Sequence, residues 1–103
     1  MFNKQKLKGK VVAITGAARG IGLATAEAMI AQGAQVSIGD IDLELAEKEA
    51  QRIGAKAFKL DVRNRESFAQ FIQETIDHFG SLYSLVNNAG IMPMGAFLDE
   101  DPE

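Results

Sequence analysis

Residues 15–22 read Thr15-Gly16-Ala17-Ala18-Arg19-Gly20-Ile21-Gly22, which places three glycines within eight positions. The apolar run Lys10-Val11-Val12-Ala13-Ile14-Thr15 leads directly into this stretch, and an alanine-rich segment follows it. A run this short and rich in valine reads as a strand buried on both faces. The segment from Gly20 to Gln32 has helical length, with Ile21, Ala24, Ala28 and Met29 expected on its packed face. Gly33 supplies its C-terminal stop. A strand therefore passes into a helix through a glycine-rich turn. Whether that turn is only tight, or also holds an anion, decides both fold and function.

The same alternation continues outward. Gln35 to Gly39 reads as a second strand, with Val36 and Ile38 spaced by small or polar residues. Asp42 can cap a helix from Leu43 to Ile53, in which Glu44 and Lys48 stand at ion-pair spacing. Gly54 closes that helix, and Lys56 to Leu60 is a third strand. Asn64 caps a third helix, where Phe68, Phe71, Ile72, Ile76 and Phe79 recur with helical period. A stripe of that kind is core packing. Gly80 ends the helix, Leu82 to Asn87 is a fourth strand, and Asn88-Ala89-Gly90 is a turn.

Strands that alternate with helices predict an α/β fold with a parallel sheet covered on both faces. Right-handed crossovers place the first two helices on one face and the third on the other, with strand order 3-2-1-4. Residues 1–9 form a lead-in, residues 10–90 one βαβαβαβ unit, and residues 91–103 a loop and the start of a truncated fourth helix.

Composition narrows the functional classes. At 103 residues the ceiling is one compact domain. A net charge of −3 argues against a nucleic-acid partner, which needs a concentrated basic face. The lack of cysteine excludes disulfides and thiolate metal sites. His78 is the single histidine, and with no second imidazole a metal role is not expected. No apolar run approaches the roughly 20 residues of a membrane helix. Lys4, Lys6, Lys8 and Lys10 have no apolar segment behind them, so they read as a solvated lead-in to the first strand. The lack of cysteine leaves the redox compartment undetermined; the expected location is the cytoplasm, with no membrane partner.

The glycine turn has a specific chemical use. A helix N-terminus presents unpaired N–H groups and the positive end of the helix dipole, which stabilise an anion without a charged side chain. Glycines allow the sharp turn and the close approach of a phosphate. The spacing of Gly16, Gly20 and Gly22 is G-x3-G-x-G, without the Lys-Ser/Thr pair of a P-loop. Asp40 ends the second strand eighteen residues after Gly22, near the spacing of an acidic residue that bonds ribose hydroxyls. Asp61 ends the third strand and Asn87-Asn88 the fourth. All lie at strand C-terminal ends, the edge where open α/β sheets bind ligands.

In these residues the chain resembles the N-terminal, Rossmann-like part of the short-chain dehydrogenases/reductases. Thr15 to Gly22 fits the family's T-G-x3-G-x-G motif, Asp61-Val62 its adenine-contacting pair, and Asn87-Asn88-Ala89-Gly90 its N-N-A-G signature. The resemblance implies that Gly16, Gly20 and Gly22 shape a pyrophosphate loop against the Ile21 backbone. It implies that Asp40, with Ile41 beside it, holds the adenosine ribose. Asp61 and Val62 would meet the adenine, and Asn88, Ala89 and Gly90 would line the path to the nicotinamide ribose, with Asn87 bracing the central strand. Asp40 favours NAD, because a carboxylate there repels the 2′-phosphate of NADP. Arg19 is the residue that can instead pair with that phosphate, which leaves NADP open.

The resemblance also implies what this chain lacks. Hydride transfer in the family relies on a tyrosine-x3-lysine pair, an upstream serine and an asparagine of the fourth helix. Tyr83 is the single tyrosine, and the residue four positions later is Asn87. No catalytic residue is therefore assigned. Tyr83 and Ser84 stand where many relatives carry aspartate and valine, a departure that leaves the cofactor motifs untouched. The expected chain is a truncated, cofactor-holding part of an oxidoreductase acting on an alcohol or carbonyl substrate, stopping before strands 5–7. Alone it would bind NAD weakly without turnover, and at full length it would form a homo-oligomer. The alternative is a non-enzymatic module that uses the nucleotide site, or the open edge of strand 4, to bind a partner. Substrate identity is not legible.

Overall fold

The computed structural model describes residues 6–88. The expectations for Lys4, for Ala89 and Gly90 and for residues 91–103 lie outside the described residues. The chain runs β1 (Val11–Thr15), α1 (Gly20–Ala31), β2 (Gln35–Asp40), α2 (Leu43–Ile53), β3 (Lys56–Lys59), α3 (Arg65–Phe79), β4 (Ser84–Val86). The strands form one parallel sheet in the order β3-β2-β1-β4. Register pairs Val12 with Val36 and Ile14 with Ile38, and Thr15 lies level with Gly39, so β1 and β2 deliver their last residues to the same edge.

Alternation along the strands divides the core in two. Val12, Ile14, Val36 and Ile38 face α1 and α2, which answer with Ala26, Ala46 and Ala50. Small helix residues let both helices sit close to the sheet. On the other face Ala13 and Leu60 meet Phe68 and Phe71 of α3. There the size relation is reversed, because large helix side chains cover small strand positions. Gly39 is the extreme case: a Cβ on it would come within 2.9 Å of both Leu60 Cδ2 and the Phe71 ring. The Phe71 ring occupies the space a side chain would need.

Two buried hydroxyls were not expected from the apolar stripe of α3. Thr75 Oγ1 lies 2.7 Å from Ser37 Oγ and 2.9 Å from the Phe71 carbonyl oxygen, so both polar groups are satisfied inside the core.

Helix ends follow the expected chemistry. Asp42 accepts from the Leu45 amide and Asn64 from the Ser67 amide. Gly54 and Gly80 end α2 and α3 by donating to the carbonyls of Ala50 and Ile76.

Three expectations need correction. Of the four residues expected on the packed face of α1, Ile21, at 77%, Ala24 and Ala28 are exposed; only Met29 packs, half-buried, against the core, and the buried side runs through Gly22 and Ala26. Alanines all round the helix carry no direction, and Gly22 lies on the side packed closely against the preceding turn. Glu44 and Lys48 do not pair; Arg52 instead joins Glu49 at 2.7 Å within α2 and Glu27 of α1 at 2.6 Å. β4 is shorter than Leu82–Asn87, because its paired register with β1 covers only Ser84–Val86 and Asn87 turns its side chain to Thr15.

Candidate functional site

The site is built where β1 stops. The Gly16 amide donates to the Gly39 carbonyl at 2.7 Å, which carries the β1–β2 ladder one residue past Thr15. Gly16 and Gly20 then take φ values of 63° and 64°, in the left-handed region that favours glycine. A Cβ on Gly20 would meet nothing within 4 Å, so its requirement is conformational alone. The requirement at Gly22 is close approach. A Cβ there would come 2.4 Å from the Gly16 carbonyl oxygen and 2.8 Å from Asn88 Nδ2.

Among the described helices, α1 alone begins without a capping side chain, and its first turn holds no acid. Its leading amides are left to a partner from outside the helix. By contrast α2 and α3 each have a capping oxygen and a first-turn glutamate, Glu44 and Glu66.

Asp40, at the end of β2, is held on both oxygens. Oδ2 accepts from the Ala18 amide at 3.0 Å and Oδ1 from the Asp42 amide at 3.0 Å. The carboxylate thus ties the glycine turn to the end of β2. Arg19 extends outward and its Nη2 donates to Asp42 Oδ2 at 3.0 Å.

Asp61 follows β3. Its amide donates to Ser67 Oγ at 2.9 Å. Its carboxylate accepts from the Arg63 backbone and Nε on Oδ1, both at 3.0 Å, and from Arg63 Nη2 on Oδ2 at 3.2 Å. The Arg63 side chain, and after it the Arg63 amide, hold the Asp61 carboxyl below its ordinary range. At the end of β4, Asn87 Oδ1 accepts from Thr15 Oγ1 at 3.0 Å, which braces β4 against β1. Asn88 Nδ2 lies 3.4 Å from the Gly16 carbonyl oxygen.

A cleft of about 370 Å3 opens at this edge, lined by Gly16, Asp40, Ile41, Leu60, Asp61, Val62 and Arg63. It brings together Gly16, Asp40, Ile41, Asp61 and Val62 from three strand ends. Ile41 is 54% exposed, which leaves an apolar surface at the cleft. Arg19, Gly20, Ile21 and Gly22 continue from the cleft into α1, and Asn88 stands beside Gly16. Ala89 and Gly90 lie outside the described residues. A hollow of about 420 Å3 on the flank of β3, reaching Glu47 and Glu74, contains none of these residues.

Arg63 and Ser67 were missed by sequence reasoning. The Asp61-x-Arg63 spacing was a usable signal, whereas the bond from the Asp61 amide to Ser67 depends on how α3 starts. Tyr83 belongs elsewhere. It is 60% exposed at the start of β4, the opposite edge of a parallel sheet, with Lys10 Nζ 4.6 Å from its ring centroid. Among the described residues no helix is long and apolar enough to cross a membrane.

The sequence profile of the short chain dehydrogenase family matches residues 10–103. A sorbitol dehydrogenase from Cereibacter sphaeroides is 44% identical over 96 residues, covering 91% of this chain and 38% of that protein. The crystal structure of a short chain dehydrogenase from Mycobacterium smegmatis superposes with a TM-score of 0.81 at 34% identity, over 86% of this chain and 40% of that one. A 3-ketoacyl-(acyl-carrier-protein) reductase from Brucella melitensis, solved in complex with NADH, superposes with a TM-score of 0.74 at 33% identity. That likeness covers 77% of this chain and 33% of the reductase. The chain thus spans about two fifths of the length of its relatives.

Proposed function

This chain belongs to the short-chain dehydrogenase family, and from that premise we propose that it is the cofactor-holding part of an NAD-dependent oxidoreductase acting on an alcohol or carbonyl substrate. The observation that carries this reading is Asp40, whose two oxygens are fixed by the amides of Ala18 and Asp42 at the cleft beside the glycine turn. A carboxylate held in this way is a pre-set acceptor for ribose hydroxyls. The open space at Gly20 and the uncapped start of α1 suit a pyrophosphate.

Gly16, Gly20, Gly22 and the Ile21 backbone hold the phosphates in this reading. Asp40 and Ile41 take the adenosine ribose, and Asp61 and Val62 take the adenine. Asn88, with Ala89 and Gly90, leads toward the nicotinamide. The bound nicotinamide supplies or accepts the hydride. This chain's own residues position it: Asp40 orients the ribose, and the Thr15–Asn87 bond keeps β1 and β4 in step below it. Asp40 also disfavours NADP, because its charge stands where a 2′-phosphate would sit. The chain has no tyrosine-x3-lysine pair, so it holds cofactor without turnover by itself. In this reading the full-length enzyme takes the alcohol or carbonyl substrate and forms a homo-oligomer.

Titration calorimetry of the purified chain with NAD and NADP tests this. Measurable NAD binding, weaker NADP binding and no hydride transfer with simple alcohols are expected. Failure to bind either dinucleotide, or turnover by this chain alone, overturns it.

A further inference from the structure

Asp42 does two jobs with two different oxygens. Oδ1 caps α2 by accepting from the Leu45 amide at 3.2 Å. Oδ2 accepts from Arg19 Nη2 at 3.0 Å. The Arg19 and Asp42 side chains are 68% and 45% exposed, so the pair is solvated and can open.

Their place in the fold gives the pair a consequence. Arg19 follows Ala18, whose amide is held by Asp40 Oδ2, and the Asp42 amide holds Asp40 Oδ1. Arg19, Asp42 and Asp40 are therefore one connected corner at the end of β2. Arg19 is the cation of that corner, and it is already engaged. The other guanidinium at the cleft, Arg63, is engaged by Asp61. Neither is presented as a free partner for an added phosphate.

We propose that Asp42 is a positioning residue for cofactor choice: by engaging Arg19 it withholds the guanidinium of the glycine turn from a ribose 2′-phosphate. Discrimination against NADP then comes from the Asp42–Arg19 pair as well as from the charge of Asp40. The inference rests on the dinucleotide reading of the site. Asp42 itself touches no cofactor and acts through Arg19.

The chemistry of the cap makes a clean test. Asparagine caps a helix about as well as aspartate, so Asp42→Asn keeps the Leu45 bond and removes the charged acceptor of Arg19. Asp42→Ser, also a good cap, is the second variant should the first fold poorly. Dissociation constants for NAD and NADP are measured by titration calorimetry on the full chain as wild type, Asp42→Asn, Arg19→Ala and the double variant. Circular dichroism checks that α2 is retained.

Asp42→Asn is expected to tighten NADP about two- to fivefold relative to NAD, the scale of releasing one solvent-exposed ion pair. The gain should vanish in the double variant. An unchanged NADP to NAD ratio in Asp42→Asn and Asp42→Ser overturns the inference while leaving the dinucleotide site intact. The same holds if the gain persists without Arg19, or if the wild type binds NADP as tightly as NAD. Wild-type chain that binds neither dinucleotide overturns the reading of the site and this inference with it.

Discussion

The carboxylate of Asp40 receives the backbone amide of Ala18 at 3.0 Å across 22 positions of sequence. Ala18 is buried, so its amide depends on this partner in place of water. Asp40→Ala would leave it unpaired and also free the Asp42 amide. A loss of about 1–3 kcal/mol in folding stability is expected, the cost of an orphaned buried donor. NAD affinity should fall in the same variant, and NADP affinity less, because the removed charge opposed only the phosphate. Urea unfolding and dinucleotide titration read the two effects separately. Wild-type stability in Asp40→Ala would show that the contact does not hold the turn.

Gly39 and Phe71 make a prediction independent of any ligand. The Cβ of Gly39→Ala would press on the Phe71 ring and Leu60 at 2.9 Å, closer than side-chain carbons approach. Overpacking of this kind costs about 1–3 kcal/mol. Phe71→Leu removes the ring, so the alanine should cost less in that background than in wild type. Thermal unfolding of the four combinations measures the coupling. Equal cost of the alanine in both backgrounds would rule out the ring as its cause.

These two pairs show where sequence reading succeeds and where it stops. The bounds of α2, the stripe of α3 and the strand order rest on local signals: Asp42 and Asn64 as caps, Gly54 and Gly80 as stops, and Phe68 and Phe71 at helical period. Strand-end polar residues were legible as a group, because a parallel sheet must bring Gly16, Asp40 and Asp61 to one edge. The rotation of α1 was not, since alanine marks neither face. Nor was the Ser37–Thr75 contact, which joins two unremarkable hydroxyls 38 positions apart. Arg19 read alone is a loop cation; its meaning changes only once Asp42 is seen beside it.

The three glycines of the turn should fail in different ways. Gly20→Ala meets open space but must adopt a φ near 64°, at a cost of about 1–2 kcal/mol for an L-residue. Gly22→Ala has no such dihedral demand, yet its Cβ would lie 2.4 Å from the Gly16 carbonyl oxygen. Backbone cannot yield as a side chain does, so the turn must open or α1 must shift. Gly22→Ala is therefore expected to be the less stable of the two and to lose NAD binding altogether. Denaturant midpoints for both variants, with NAD titrations, check the order. A Gly22→Ala variant more stable than Gly20→Ala would contradict the close packing of turn on helix.

Asp61 carries the pH dependence. Arg63 lowers its folded pKa below the ordinary value of 3.8, first through the guanidinium and then through its amide. The sign follows from linkage: an acid with a depressed folded pKa contributes stability above its unfolded value and loses it as pH falls through the folded one. The contribution is thus complete at neutral pH and disappears below pH 3.8. Arg63→Gln removes the charged donors but keeps the backbone amide. Its Asp61 should titrate at higher pH than in wild type, with the remaining amide bond still holding it somewhat low. A carbon-13 titration of the Asp61 carboxyl in both proteins measures this directly. If wild-type Asp61 titrates at or above 3.8, the Arg63 contact does not persist in solution. If it titrates lower and Arg63→Gln raises it, the cleft keeps an ionised acceptor beside Val62 through the whole range in which a dinucleotide would be bound.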